Sequence, residues 1–298
     1  MKSDSRSVRL ATERSQLELF RAMPGDVAVR DAQDLMAYPF FALGKGRRTI
    51  PIHFEARQVV ICVEGTGEHG IATIWDADVL IWAASQIVEA RDAQLPTSRL
   101  IAATPYEILR FTGRGTSLRD YQRLRAALDR LQSTTVATSL RQPSSRRLHR
   151  FSWLNEWTER TTPDGRSLGL ELILPDWFYT GILDSTLVLT IDRAYFRLSG
   201  GIERWLYRLV RKHAGHQAAG WRFDIRHLHA KSGSLARFSD FAIDIRRIAI
   251  QQALPGYELV VECDARGIEL LAFRPRTRAS FDRTLRRLVA ASRVGDKQ

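Results

Sequence analysis

Residues 117–136 read SLRDYQRLRAALDRLQSTTV, and the fold turns on how they are read. Leu118, Tyr121, Leu124, Leu128 and Leu131 recur at three- and four-residue intervals, which lays one apolar stripe along an amphipathic helix. The pattern then breaks into β-branched residues at STTV, the start of a strand. Upstream, PYEILRFTG (105–113) is a shorter helix, with Thr104 as its N-cap, Pro105 in its first turn and Gly113 closing it. The turn GRGTS (113–117) joins the two helices. Short helix, glycine turn, longer helix and strand together are helix-turn-helix syntax with a wing appended.

Outward from this core the pattern continues. RTIPIHFEARQVVICVEG (48–65) is β-branched and alternating, with a turn of the hairpin kind at TGEHG (66–70). WDADVLIWAASQIVEARDA (75–93) is a long apolar helix on Val79, Leu80, Ala83, Ala84, Ile87 and Val88. Asp76 and Asp78 at its start read as caps rather than as a D-x-D metal pair. Beyond the strand, RQPSSRRLHR (141–150) is a basic loop, and residues 150–175 hold two strands joined by TPDG. The second half repeats the syntax in other letters: a helix over GGIERWLYRLVRKHAG (200–215), a strand and short helix over WRFDIRHLHAKSG (221–233), a longer helix over 237–254, and a hairpin over 257–275 turning at DARG. An α+β fold of two tandem winged-helix domains is expected. Residues 1–34 form a flexible lead-in, 35–175 the first domain, 176–275 the second and 276–298 a basic tail. A chain of 298 residues accommodates two such cores.

The charge balance suits a polyanionic partner. There are 45 Lys and Arg against 33 Asp and Glu, a formal +12, and each phosphate neutralised releases counterions. In the opening helix the stripe leaves Arg119, Gln122 and Arg123 free near the N-terminus, the end a recognition helix leads with into the major groove. Arginine grips guanine O6 and N7 in bidentate fashion, worth roughly 1–3 kcal/mol of base discrimination. Arg114, Thr116 and Ser117 in the turn, and Arg146 and Arg147 in the basic loop, are further DNA-binding candidates. Arg125 and Arg130 read as flanking or structural. In the second unit Lys231, Ser232, Ser234 and Arg237 suit phosphates, and Ser239, Arg246 and Arg247 lie outside the apolar stripe.

Other chemistries find little footing. ALGKGRRT (42–49) lacks the spacing of a phosphate-cradling loop. Cys62 and Cys263 sit in separate apolar runs, cannot make a four-ligand zinc site, and read as buried structural thiols in a reducing cytosol. His227 and His229 match the two-histidine metal motif of rolling-circle nucleases, but they fall on a short helix, where residues two apart diverge. Trp75, Trp82, Trp205 and Trp221 read as core, while Trp153 and Trp157 stand open to either reading. No catalysis, cofactor or metal is expected. With no signal-peptide core and no long apolar run, a cytoplasmic protein is expected, with no membrane partner.

LPDWFYTGILD (174–184), VLTIDRAYFRLSGGIERWLYRLVRKHAG (188–215) and PYEILRFTGRGTSLRDYQRLRAALDRLQSTTV (105–136) closely resemble the replication initiator protein A family of plasmids. The resemblance covers roughly residues 35–275. It implies a tandem winged-helix protein that binds iteron-type repeats in double-stranded origin DNA and helps open the adjacent duplex. It also implies recruitment of the host initiator and replicative helicase, and a monomer–dimer equilibrium with repression of its own promoter. A transcriptional regulator of the same architecture, and more remotely a rolling-circle nuclease, are the competing readings.

Overall fold

A computed structural model describes residues 14–142, 147–164, 167–215 and 219–276. The chain enters through β1 (Leu19–Arg21), β2 (Arg30–Ala32) and the short α1 (Gln33–Ala37). β3 (Ile52–Ala56) and β4 (Val59–Glu64) form a hairpin that turns at Arg57, whose φ of 54° is left-handed. The turn is therefore not at TGEHG. That segment closes a tight loop after the hairpin, with Gly70 N donating to Thr66 O at 2.8 Å. Gly65 is required there, since a Cβ would stand 2.2 Å from the Gly70 carbonyl carbon.

α2 (Ala77–Asp92) is buried on nearly every side, as a helix apolar all round should be. β5 (Leu100–Ala103), α3 (Pro105–Phe111) and α4 (Leu118–Ser133) follow. Thr104 caps α3: its Oγ1 accepts from Glu107 N at 3.2 Å, while Glu107 Oε2 accepts from Thr104 N at 2.6 Å. Next come β6 (Thr135–Thr138), β7 (His149–Ser152), β8 (Glu156–Thr161), β9 (Ser167–Ile173), α5 (Asp176–Leu183) and β10 (Val188–Thr190). The second half holds α6 (Gly201–Ala214), β11 (Trp221–Asp224), α7 (Ile225–Ser232), α8 (Phe238–Gln251), β12 (Tyr257–Cys263) and β13 (Glu269–Pro275).

The two halves share an order. In the first, the sequence α2, β5, α3, α4 is followed, after β6 and β7 have passed into another sheet, by the hairpin β8–β9, with the sheet ordered β1-β5-β9-β8. In the second, α6, β11, α7, α8 leads to the hairpin β12–β13, with the sheet ordered β11-β13-β12. The architecture is α+β. In both, the strand between the first two helices pairs with the second strand of the hairpin.

Other expectations are corrected as well. The STTV strand is not part of the hairpin that ends the first half: β6 belongs to a separate antiparallel sheet, β3-β4-β6-β7, in register with Ile61–Glu64 on one side and His149–Ser152 on the other. A β-branched run specifies a strand without naming its partner. Residues 19–34 are not a loose lead-in, because β1 pairs in parallel with β5 and β2 pairs with β10, with Phe20, Val29 and Asp31 buried. The rest of that lead-in, residues 1–13, lies outside the described residues, as does the basic tail from 277. Leu118 is 74% exposed rather than part of the stripe, while Leu124, Leu128 and Leu131 are buried. It stands on the first turn of α4, beyond the reach of the core that the later turns cover.

Two cores result. One gathers around Trp82, Ile87 and the aromatic group of Phe40, Phe41, Phe151, Trp153 and Trp177, the other around Leu206, Phe241, Ile245 and Phe273. Trp153 is thus core, whereas Trp221 is 43% exposed, against expectation, because it opens the edge strand β11. Cys263, at the far end of β12, is likewise exposed rather than buried, and Cys62 is half-buried. No helix among the described residues is long and apolar enough to cross a membrane.

Candidate nucleic-acid interface

α4 is anchored at its middle and far end and free at its start. Arg130 grips Asp76 through two bonds, Nε–Oδ2 at 2.7 Å and Nη2–Oδ1 at 2.8 Å. Asp76 also accepts from Thr73 N and Oγ1, so it serves as the hub of a buried network rather than the cap expected of it. Midway, Arg125 pairs with Glu159 on β8 at 2.7 Å. At the first turn the Asp120 carboxylate accepts from Ser117 N at 3.1 Å and Ser117 Oγ at 2.6 Å. Those two bonds hold the Asp120 carboxyl below its ordinary range, with Arg123 and Arg114 adding to them.

Arg119, Gln122 and Arg123 are exposed on this free turn, next to exposed Thr116 and Ser117. Arg123 meets only the edge of Asp120, at 3.6 Å, and is 60% exposed, so its guanidinium is available to a ligand. Arg114 is different. Its Nη2 donates to Asp78 Oδ2 at 2.9 Å, and Asp78 is buried, so Arg114 supports the turn rather than facing outward. Asp78 too is an ion-pair anchor instead of a cap. Arg147 is exposed in the basic loop, and Arg146 lies outside the described residues.

A cleft of about 920 Å³ opens beside this turn, and exposed Lys45, Arg47 and Arg197 line it together with Arg123. Sequence reading missed these three cations. They come from segments about 150 residues apart, and ALGKGRRT offered a signal only as a failed phosphate loop.

The second unit keeps less of its predicted set. Arg237 and Ser239 are exposed at the start of α8, with Ser239 Oγ donating to Asp240 at 3.3 Å. Arg246 is held by Glu269 through bonds of 2.9 and 2.6 Å, and Arg247 pairs with Asp244. Ser232 is fully buried and bonds to His229 O at 2.7 Å, and Ser234 Oγ accepts from Ala236 N at 3.1 Å. Ser232 therefore builds the turn between α7 and α8 instead of offering its hydroxyl to a ligand, while Ser234 is half-buried in that turn. Lys231 is half-buried against aromatic rings. His227 stacks on Phe223 while His229 Nε2 lies 2.8 Å from Ala236 O, so the two rings face different neighbours and do not converge on one point.

A crystal structure of domains 2 and 3 of RctB superposes with a TM-score of 0.57 at 16% identity, covering 80% of this chain and 95% of that one. A second structure of the same domains gives 0.54 at 15% identity, over 84% and 98%. These likenesses establish the fold alone. In sequence, a "Putative replication protein" of Wigglesworthia glossinidia brevipalpis is 31% identical over 228 residues, 75% of this chain and 82% of that protein. The model of the family described as Replication initiator protein A matches residues 30–259, and the chain belongs to that family.

Proposed function

We propose that this protein initiates plasmid replication by reading double-stranded origin DNA, without catalysis, through two winged-helix domains over roughly 35–175 and 176–275. The observation that carries this reading is the order of helix, strand, helix and helix found in both halves, followed in each by a hairpin whose second strand pairs with the strand between the first two helices, although β6 and β7 intervene in the first half and β1 adds an edge to its sheet. In a winged helix the third helix enters the major groove. Here those helices are α4 and α8. α4 presents Arg119, Gln122 and Arg123 at its leading end, where bidentate base contacts are made. α8 begins with Arg237 and Ser239, better suited to phosphate and shape than to base edges. Binding to iteron-type repeats, duplex opening, recruitment of the host initiator and helicase, and autorepression by a dimer complete the reading, in the cytoplasm.

Footprinting the purified protein on the DNA flanking its own gene, at physiological salt, tests it. Evenly repeated protected sites are expected. A single operator-like footprint would leave a transcriptional regulator, and uniform protection at every sequence would remove base reading altogether.

A further inference from the structure

Just after α1 the chain passes Tyr38, and the ring of Tyr38 faces two ammonium groups from the second half. Lys231 Nζ, on α7, lies 4.6 Å from its centroid, and Lys212 Nζ, on α6, lies 5.8 Å away. Lys231 Nζ also stands 5.6 Å from the ring of Phe54 on β3. Among the described residues neither ammonium has an ion-pair partner. Asp34, whose charge acts on Lys212, is already taken by Arg141 at 3.1 Å, and that guanidinium stacks 3.6 Å over Trp177.

An aromatic ring offsets only part of a cation's charge, so the contacts with Tyr38 and Phe54 leave the pair of ammonium groups largely uncompensated. Burial lowers both lysines, and Lys212 pushes Lys231 further down, to about 8. His213 beside Lys212 and His227 one turn before Lys231 add no negative charge, and the buried Nε2 of His213 has no partner among the described residues. Half-buried like charges held together without an ion-pair partner of their own, Asp34 being shared with Arg141, are costly unless an anion completes them. Separate segments of the chain bring these groups together, so the cluster is not one helix's solvated face.

We propose that Tyr38, Lys212 and Lys231 form a seat for a single phosphate group at the junction of the two halves. Two mobile ammonium donors match the charge and the several acceptor oxygens of a phosphate. The Tyr38 and Phe54 rings flank the two ammonium groups. Either a free phosphate or one phosphate of a nucleic-acid backbone carries this chemistry. The seat draws on α6, α7 and the segment after α1 and on no residue of α4, so it does not depend on groove reading by α4.

The full-length protein is melted in sodium phosphate and in sodium chloride of equal ionic strength. Phosphate is expected to raise Tm by about 2–4 °C, and the Lys212→Met/Lys231→Met double variant is expected to lose that rise while melting no lower than the parent in chloride. Lys212→Met alone gives the same reading if the double variant does not fold. Salt titration of duplex binding then separates the sources. A log–log slope shallower by about 1 in the variant assigns the seat to a backbone phosphate, whereas an unchanged slope with the Tm rise lost assigns it to free phosphate. A Tm rise that persists in the variant overturns the seat. So does the absence of any rise together with an unchanged slope, a result that leaves duplex binding by the parent protein intact.

Discussion

Arg119 and Arg123 differ from Arg125 and Arg130 in what faces them, not in kind. The first two are exposed at the leading turn of α4, while Arg125 reaches Glu159 and Arg130 reaches the buried Asp76. Arg119→Ala and Arg123→Ala are therefore expected to cost about 1–3 kcal/mol each on the specific site and less on random duplex. Competition binding on the two DNAs measures this, and equal losses would reduce both residues to phosphate clamps. A second residue-scale consequence concerns acid. His213 packs against Trp221 and Phe223, and burial, with repulsion from Lys212, Lys231 and His227, pushes it down to about 4 from 6.5. Since the folded value lies below the unfolded one, the unfolded chain takes the proton first. The associated stability is complete above about pH 6.5 and is lost as pH falls toward 4. Urea midpoints between pH 7 and 4.5 are expected to drop by the equivalent of about 1–2 kcal/mol, after discounting for solvent screening. His213→Gln should flatten that decline.

Elements were legible where local chemistry decides them and illegible where a distant partner does. Thr104, Pro105 and Gly113 delimit α3 through capping and turn geometry that sequence carries outright, and α4, α7, α8 and the DARG hairpin follow from periodicity. The destination of β6 did not follow, because its β-branched run pairs with β4, about 70 residues upstream. Nor did the duties of Asp76 and Asp78. Their place at a helix start suggests a cap, whereas their arginine partners arrive from α4, from the turn before it and from α6. The same limit applied to the site: the free turn of α4 was readable, but Lys45, Arg47 and Arg197 meet beside it only through the fold. One test belongs to this scale. Arg130→Met leaves Asp76, 3% exposed at its side chain, without its guanidinium. Since removing one partner strands the other charge, a loss of roughly 2–3 kcal/mol is expected in denaturant unfolding, with α4 the first helix to lose hydrogen-exchange protection.

Across the whole molecule, the two halves are stitched by groups that neither could satisfy alone. Arg204 of α6 reaches Asp78 of α2 at 2.8 Å, and Arg208, one turn on, grips Asp31 of β2 through bonds of 2.7 and 2.9 Å, every partner being buried. β2 pairs with β10, and Val29, Met36 and Ile81 from the first half pack into the second core. Gly201 opens α6 so close to Leu43 that a Cβ would meet its carbonyl oxygen at 1.9 Å. Two halves joined this way hold α4 and α8 at a fixed offset, which the proposed reading of repeated DNA would use. They should also unfold as one unit, so calorimetry of the parent protein is expected to show a single transition. Asp78→Asn strands two arginines at once and is expected to cost about 3–5 kcal/mol. Combined with Asp31→Asn it removes both buried pairs, and the single transition should then split in two as each core melts separately. If the double variant instead melts in one shifted transition, the apolar contacts of Met36 and Ile81, rather than the ion pairs, are what make the two halves cooperative.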